Sequence, residues 1–159
     1  MQKVAVFVDV QNVYYTVKES FGCHFNYQAF WDTVTADREV VGAFAYAIDR
    51  GDPQQINFQQ ILRSIGFEVK LKPFISRRDG SAKGDWDVGI TLDMIEIGSQ
   101  ADVAVLVSGD GDFDLVVKKL IEAHAVDVEV YGAVGLTAAS LINAATQFVP
   151  IEGHLLLST

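Results

Sequence analysis

The sequence predicts an α/β fold, a three-layer α/β/α sandwich built on a mostly parallel sheet, and three observations carry that expectation. The runs Lys3–Val8 (KVAVFV) and Val103–Val107 (VAVLV) lack polar alternation, so each reads as a strand covered on both faces. Helical apolar spacing recurs between such runs, so strand and helix alternate almost throughout, as right-handed parallel crossovers require. Two of the runs also hand over to polar residues, Asp9 in one case and Ser108-Gly109-Asp110-Gly111-Asp112 in the other. The carboxyl edge of an open sheet is where such folds bind ligands.

Taken in order, the first strand ends at Asp9, and Asn12 follows as the pattern turns helical through Tyr14, Tyr15 and Val17. A short helix is expected over Tyr27–Val34 and a buried strand over Val40–Ile48, closed by the turn residues Asp49, Gly51, Asp52 and Pro53. Ile56, Phe58, Ile61, Leu62 and Ile65 then recur at helical spacing, with Gly66 as a C-terminal stop. Phe67–Leu71 alternates apolar and polar, which suggests a strand nearer the sheet edge. Pro73–Gly84, with its Pro, Ser, Arg and Gly residues, reads as a long loop, and long loops in compact domains are often functional. A helix is expected over Asp85–Ile97 with Asp85 as N-cap. After the central strand come a helix marked by Leu115, Val116, Leu120 and Ile121, a strand over Val126–Tyr131, a helix over Leu136–Ala145 and a short closing segment, Phe148–Ile151.

With 159 residues, half of them hydrophobic, and no linker or repeat, the chain is expected to form one domain, residues 1–159. One cysteine, Cys23, precludes an internal disulfide, and no Cys/His group has zinc spacing. Every long apolar run is broken by a charge and no leader precedes the first strand, so a soluble, cytoplasmic protein with no membrane association is expected. The net charge of −9 argues against whole-surface attraction to nucleic acid. Yet Lys70, Lys72, Arg77, Arg78 and Lys83 gather five of the twelve basic residues in one stretch. That stretch is either a solvated strand end and loop or a local grip on phosphate. Leu155–Leu157 must be covered, within the chain or by a second copy in a homodimer.

Five acidic positions stand out: Asp9, Asp87, Asp93, Asp110 and Asp112. Asp9 is able to close a strand, and Asp112 to serve as N-cap of a helix starting at Phe113. Asp110 is harder to assign to the turn, because the glycines beside it already give the backbone its freedom. Trp86, Ile90, Asp93 and Ile97 fall on one helical stripe, so Asp93 is a charge among apolar neighbours and needs a partner. Asp87 lies about 120° around the helix from Asp93. The two therefore cannot reach one spot by the same route.

Three motifs together, VFVDVQN with Asp9 and Asn12, KGDWDVGITLD with Lys83, Gly84, Asp87 and Asp93, and LVSGDGDF with Ser108, Asp110 and Asp112, resemble the NYN-domain family, LabA-like branch, of the PIN-like nuclease superfamily. The resemblance spans nearly the whole chain in the family's order. It departs at Gly111, where Ser is common, and by one extra residue between Gly84 and Asp87. It implies strand order near 3-2-1-4-5, with Asp9 and Asp110 side by side, and hydrolysis of RNA at divalent ions. Asp9, Asp87, Asp110 and Asp112 are then the catalytic and metal candidates, with Asn12, Asp93 and Ser108 in support; the basic stretch from Lys70 to Lys83, with Arg77 and Arg78, is in turn expected to grip the RNA backbone beside them.

Elementary electrostatics agrees. Two carboxylates about 4 Å apart repel by roughly 4 kcal/mol at an effective dielectric near 20, so a cluster must take up protons or bind a cation. Oxygen ligands without His or Cys favour Mg²⁺ or Mn²⁺, ions that activate water and stabilise the oxygens of a phosphodiester. His24, His124 and His154 sit in no motif and read as structural or solvated. A non-catalytic RNA-binding or regulatory protein that keeps the pocket is one alternative. A haloacid-dehalogenase-like phosphatase is another, although the Asp that class needs two residues after the first is here Gln11. The absence of a GxGxxG turn after the first strand argues against a dinucleotide enzyme.

Overall fold

The computed structural model describes residues 1–73, 75–76, 82–83 and 85–157, with the backbone alone at 75–76 and 82–83. At its centre runs β1 (Gln2–Asp9), flanked in parallel by β3 (Arg38–Asp49) and β7 (Val103–Val107). β4 (Glu68–Pro73) lies outside β3, and β8 (Asp127–Gly132) and β9 (Gln147–Pro150) continue beyond β7. The order is β4-β3-β1-β7-β8-β9, with every pairing parallel. Counted along these six, that is 3-2-1-4-5-6. The expected order is extended by one strand, formed by the short closing segment.

The two faces of β1 differ in size, not in polarity. Val4, Val6 and Val8 enter one buried cluster with α1 (Val10–Phe21), α2 (Tyr27–Thr35) and α3 (Pro53–Ile65). Ala5 and Phe7 enter a second with α4 (Asp87–Glu96), α5 (Asp114–His124) and α6 (Ala139–Ala144). β3 repeats the asymmetry, placing Ala43, Ala45 and Ala47 under α1 to α3 and the rings of Phe44 and Tyr46 on the α4 side. Apolar alternation cannot hold the register of such strands. Volume does, since a one-residue slip would drive rings into the alanine layer.

Local signals set most boundaries. α1 ends at Gly22, whose φ of 67° suits glycine, and its N–H donates to the Lys18 carbonyl at 2.9 Å. α3 opens with Asp52 accepting from the Gln54 N–H at 2.8 Å and Pro53 in its first turn, and Gly66 ends it.

Four expectations are corrected. α4 begins at Asp87, not Asp85, and Trp86 is its capping residue; the Trp86 ring lies 2.6 Å from where a side chain on Gly89 would start, so glycine there admits the indole. Asp112 is not an N-cap: Asp110 caps a 3-10 turn at Gly111–Phe113 that leads into α5. α6 is much shorter than Leu136–Ala145, because Gly135 turns the chain with φ of 86° and Leu136–Thr137 pack elsewhere. The Pro73–Gly84 loop holds an antiparallel pair, β5 (Ile75–Ser76) with β6 (Ala82–Lys83). A further pair joins β2 (His24–Phe25) to β10 (Leu156–Leu157); Leu155 is buried in the first cluster and Leu156 packs against it, while Leu157 stays 47% exposed. Among the described residues no helix is long and apolar enough to cross a membrane.

Candidate metal centre

Parallel pairing sets Val8 of β1 opposite Val107 of β7, so both strands end together. Asp9 and Ser108 come next on each, and the Ser108 hydroxyl donates to Asp9 Oδ2 at 3.1 Å while accepting from the Asp110 N–H at 3.2 Å. Asn12, one turn into α1, accepts from the Gly109 N–H at 2.9 Å. Asp110 Oδ1 accepts from the Asp112 N–H at 2.9 Å. Side chains from the end of β1 and the start of α1 thus fix the loop after β7.

The glycines of that loop serve close approach, not unusual backbone angles. Neither Gly109 nor Gly111 has a positive φ. A side chain on Gly109 would instead meet the backbone of Leu136 and Thr137, and the Gly109 carbonyl accepts from the Ala138 N–H at 3.0 Å. The loop before α6 is therefore the wall that holds Asp110 and Asp112 forward.

Asp87 arrives from the other side. Trp86 Nε1 donates to the Ala47 carbonyl at 2.8 Å, while Lys72 Nζ donates to the Asp85 carbonyl at 3.1 Å and sits 4.6 Å from the Trp86 ring centre. The Asp87 N–H donates to Asp85 Oδ1 at 3.2 Å. So anchored, Asp87 offers a carboxylate oxygen to a group with Asp110 and Asp112 whose three oxygens lie within 4.8 Å of one another. Asp9 stands beside this trio and is not part of it. It is only 8% exposed and is held by Ser108.

Protonation reflects the crowding. Burial lifts the Asp9 carboxyl to about 6, opposed by hydrogen bonds from the Ser108 hydroxyl and the Asn12 backbone N–H and reinforced by Asp110 and Asp85. Asp87 is pushed up to about 7 by desolvation, by a hydrogen bond to Asp110 that requires a shared proton, and by the charges of Asp110, Asp85 and Asp9. A site that retains a proton near neutrality is one that a cation would relieve. All three ligand groups are hard oxygens, which suits Mg²⁺ or Mn²⁺.

The remaining candidates divide. Asp93 does find the partner its stripe demands: Oδ2 accepts from Lys70 Nζ at 2.7 Å and from the Tyr46 hydroxyl at 2.8 Å. That pairing ties α4 to β3 and β4 away from the trio, and it commits Lys70. Lys72 is committed to the Asp85–Trp86 segment, so two of the five clustered cations serve the fold. Lys83 belongs to β6, with its side chain outside the described residues, as are Arg77 and Arg78. His24 stacks on Tyr14, and His154 shares a 3.2 Å hydrogen bond with Thr33. Sequence reasoning missed Asp85, Trp86 and the Leu136–Thr137 wall. The Asp-Trp-Asp spacing is the available signal, although helical spacing alone assigns Asp85 to a cap and Trp86 to the Asp93 stripe.

Comparison with known proteins adds a family. The NYN domain profile matches residues 3–152. The "Low amplitude and bright protein LabA" of Synechococcus elongatus is 27% identical over 158 residues, covering 94% of this chain and 84% of that protein. The crystal structure of a Vibrio parahaemolyticus protein of unknown function superposes with a TM-score of 0.93 at 54% identity, over 98% of this chain and 96% of that one. With a parallel α/β/α sandwich, an acidic trio at its carboxyl edge and a family match along nearly its full length, the chain belongs to the LabA-like branch of the NYN-domain family, within the PIN-like nuclease superfamily.

Proposed function

We propose that the protein is a metal-dependent ribonuclease that hydrolyses RNA phosphodiester bonds at the acidic trio. The observation that carries this reading is the convergence of Asp87, Asp110 and Asp112 from two separate elements to within 4.8 Å, at the sheet edge, with Asp87 retaining a proton up to about pH 7. Structural carboxylates are normally dispersed or paired with cations. Here the backbone N–H groups of all three are tied down, that of Asp87 donating to Asp85, that of Asp110 to Ser108 and that of Asp112 to Asp110.

Asp87, Asp110 and Asp112 would hold Mg²⁺ or Mn²⁺. Such an ion supplies a Lewis acid for the phosphodiester and a means of activating water near neutral pH. Asp9, a carboxyl with its titration near 6, is suited to accept a proton from the attacking water at the boundary of the site. Ser108 orients Asp9 and the Asp110 backbone together, and Asn12 fixes Gly109, so the trio and the base keep one geometry. Arg77, Arg78 and Lys83 follow β4 in sequence and would contact RNA phosphates. The test is cleavage of single-stranded RNA with Mn²⁺ by the parent and by Asp110→Asn. Mn²⁺-dependent cleavage lost in the variant supports the reading; a parent that binds Mn²⁺ and RNA yet cuts neither RNA nor DNA overturns it in favour of a non-catalytic role.

A further inference from the structure

Among the described residues the buried polar or charged side chains are Asp9, Ser108 and Gln59. The first two belong to the acidic site. Gln59, 5% exposed and on the inner face of α3, lines a cleft of about 830 Å³ between α1 and α3. That volume falls in the range of small-ligand sites.

The walls of the cleft have a definite chemistry. Tyr14 and Tyr15, 44% and 53% exposed, meet edge to face at 5.4 Å between ring centres, and Lys18 Nζ lies 5.5 Å from the Tyr14 ring centre. His24 already stacks on Tyr14 and Lys18 lies over the same ring, so Tyr15, 53% exposed, is the ring that offers a flat surface for stacking. A carboxamide at the floor presents a donor and an acceptor together, the pattern found on the edge of a nucleobase. Among the described residues lining the cleft, Lys18 and Arg50 are the cations and Asp52, which accepts from the Gln54 N–H, is the one acid. A chain of net charge −9 repels a polyanion over much of its surface, so a region whose lining sets two cations against one carboxylate is where one approaches.

Position links this cleft to the acidic trio. Val10 and Gln11, directly after Asp9, line it, as do Ala47 and Ile48 at the carboxyl end of β3, the strand that pairs Asp9 with Tyr46. Cleft and trio open on the same edge of the sheet, on either side of Asp9. Resting on the ribonuclease reading, we propose that the cleft is a base-binding subsite: an unpaired nucleobase of the RNA strand stacks on Tyr15 and is read at its edge by Gln59, while a neighbouring phosphate lies at the trio.

The probe is a fluorescent single-stranded RNA 12-mer, bound in EDTA so that nothing is cut, compared with a 12-mer of abasic ribose phosphates and with AMP as competitor. The parent binds the base-bearing strand at least tenfold more tightly than the abasic one. Tyr15→Ala lowers affinity for the base-bearing strand about ten- to a hundredfold, the scale of one lost base–aromatic stack, leaves the abasic strand unchanged, and is rescued by Tyr15→Phe. Gln59→Met, close in volume, narrows the preference between adenine and uracil strands while melting stays within a few degrees of the parent. Equal binding of both strands by the parent, or equal losses for both in Tyr15→Ala, overturns the subsite. AMP competing as strongly as the strand overturns its assignment to a polymer. Cleavage with Mn²⁺ is scored separately: cutting that ignores Tyr15→Ala removes the subsite alone, and base-dependent binding without cutting removes the ribonuclease reading alone.

Discussion

Replacing Asp110 by Asn removes one charge from a trio of carboxylates while keeping the Oδ1 that accepts from the Asp112 N–H. At a separation of 4.8 Å each pair of charges costs about 1 kcal/mol under water-like screening and about 3.5 kcal/mol at an effective dielectric of 20. The site faces solvent, so the lower figure governs. Two pairs vanish with Asp110, which predicts that the metal-free variant gains about 2 kcal/mol at pH 8, or roughly 4–8 °C in Tm for a chain of this length. The pH dependence sharpens the test. Asp9 and Asp87 titrate above the ordinary 3.8, at about 6 and about 7, so the stability they lend is complete below about pH 4 and is lost as pH climbs through those values. The parent's Tm in EDTA should therefore fall between pH 5 and pH 8 more steeply than that of Asp110→Asn. Added Mn²⁺ should raise the parent more than the variant, because only the parent has three charges to neutralise. Differential scanning fluorimetry over pH, with EDTA and with Mn²⁺, measures all of this. A variant that melts lower without metal, beside a parent indifferent to Mn²⁺, would show that Asp110 stabilises the turn and that the trio is not a cation site.

Three further outcomes are expected. Gly109→Ala drives a methyl into the Leu136–Thr137 backbone, which cannot yield as a side chain would, so the variant should melt lower by about 1–3 kcal/mol and lose its Mn²⁺ response; an unchanged Mn²⁺ shift would mean that the wall does not set the trio. Lys70→Ala leaves the part-buried Asp93 with the Tyr46 hydroxyl as its remaining partner and should cost about 1–3 kcal/mol, with much of it recovered on adding Asp93→Asn; chemical denaturation of the three proteins measures the coupling, and simple additivity would deny it. Replacing both Arg77 and Arg78 by Ala should weaken RNA binding and reduce the slope of log affinity against log salt by roughly one unit per lost phosphate contact, while the Mn²⁺ shift is retained. An identical slope in variant and parent would return those arginines to a solvated loop.

Strand and helix alternation was legible because it rests on local properties: apolar runs without polar breaks, helical spacing, and glycine or proline at the ends. The family resemblance, not the crossovers, implied that the first and fourth core strands are neighbours, and β1 does end in Asp9 beside β7, with Asp110 in the loop that follows it. Charge patterning likewise announced that Asp93 required a partner. It could not say which, because Lys70 reaches it from a strand 23 residues away.

What sequence could not decide is which acids share a point in space. Asp9 and Asp110 look equivalent as strand-end carboxylates, yet Asp9 is buried and hydrogen-bonded to Ser108 and the Asn12 backbone, while Asp110 groups with Asp87 and Asp112. That choice depends on the Leu136–Thr137 wall behind Gly109 and on Lys72 and Trp86 fixing the start of α4, contacts between segments distant in the chain. The sequence by itself determined the layers and the inventory of carboxylates, because periodicity and composition are local. Only the tertiary structure decided the trio, the commitment of Lys70 and Lys72 to the fold, and the cleft floored by Gln59, because each is set by distances between side chains that no spacing along the chain encodes.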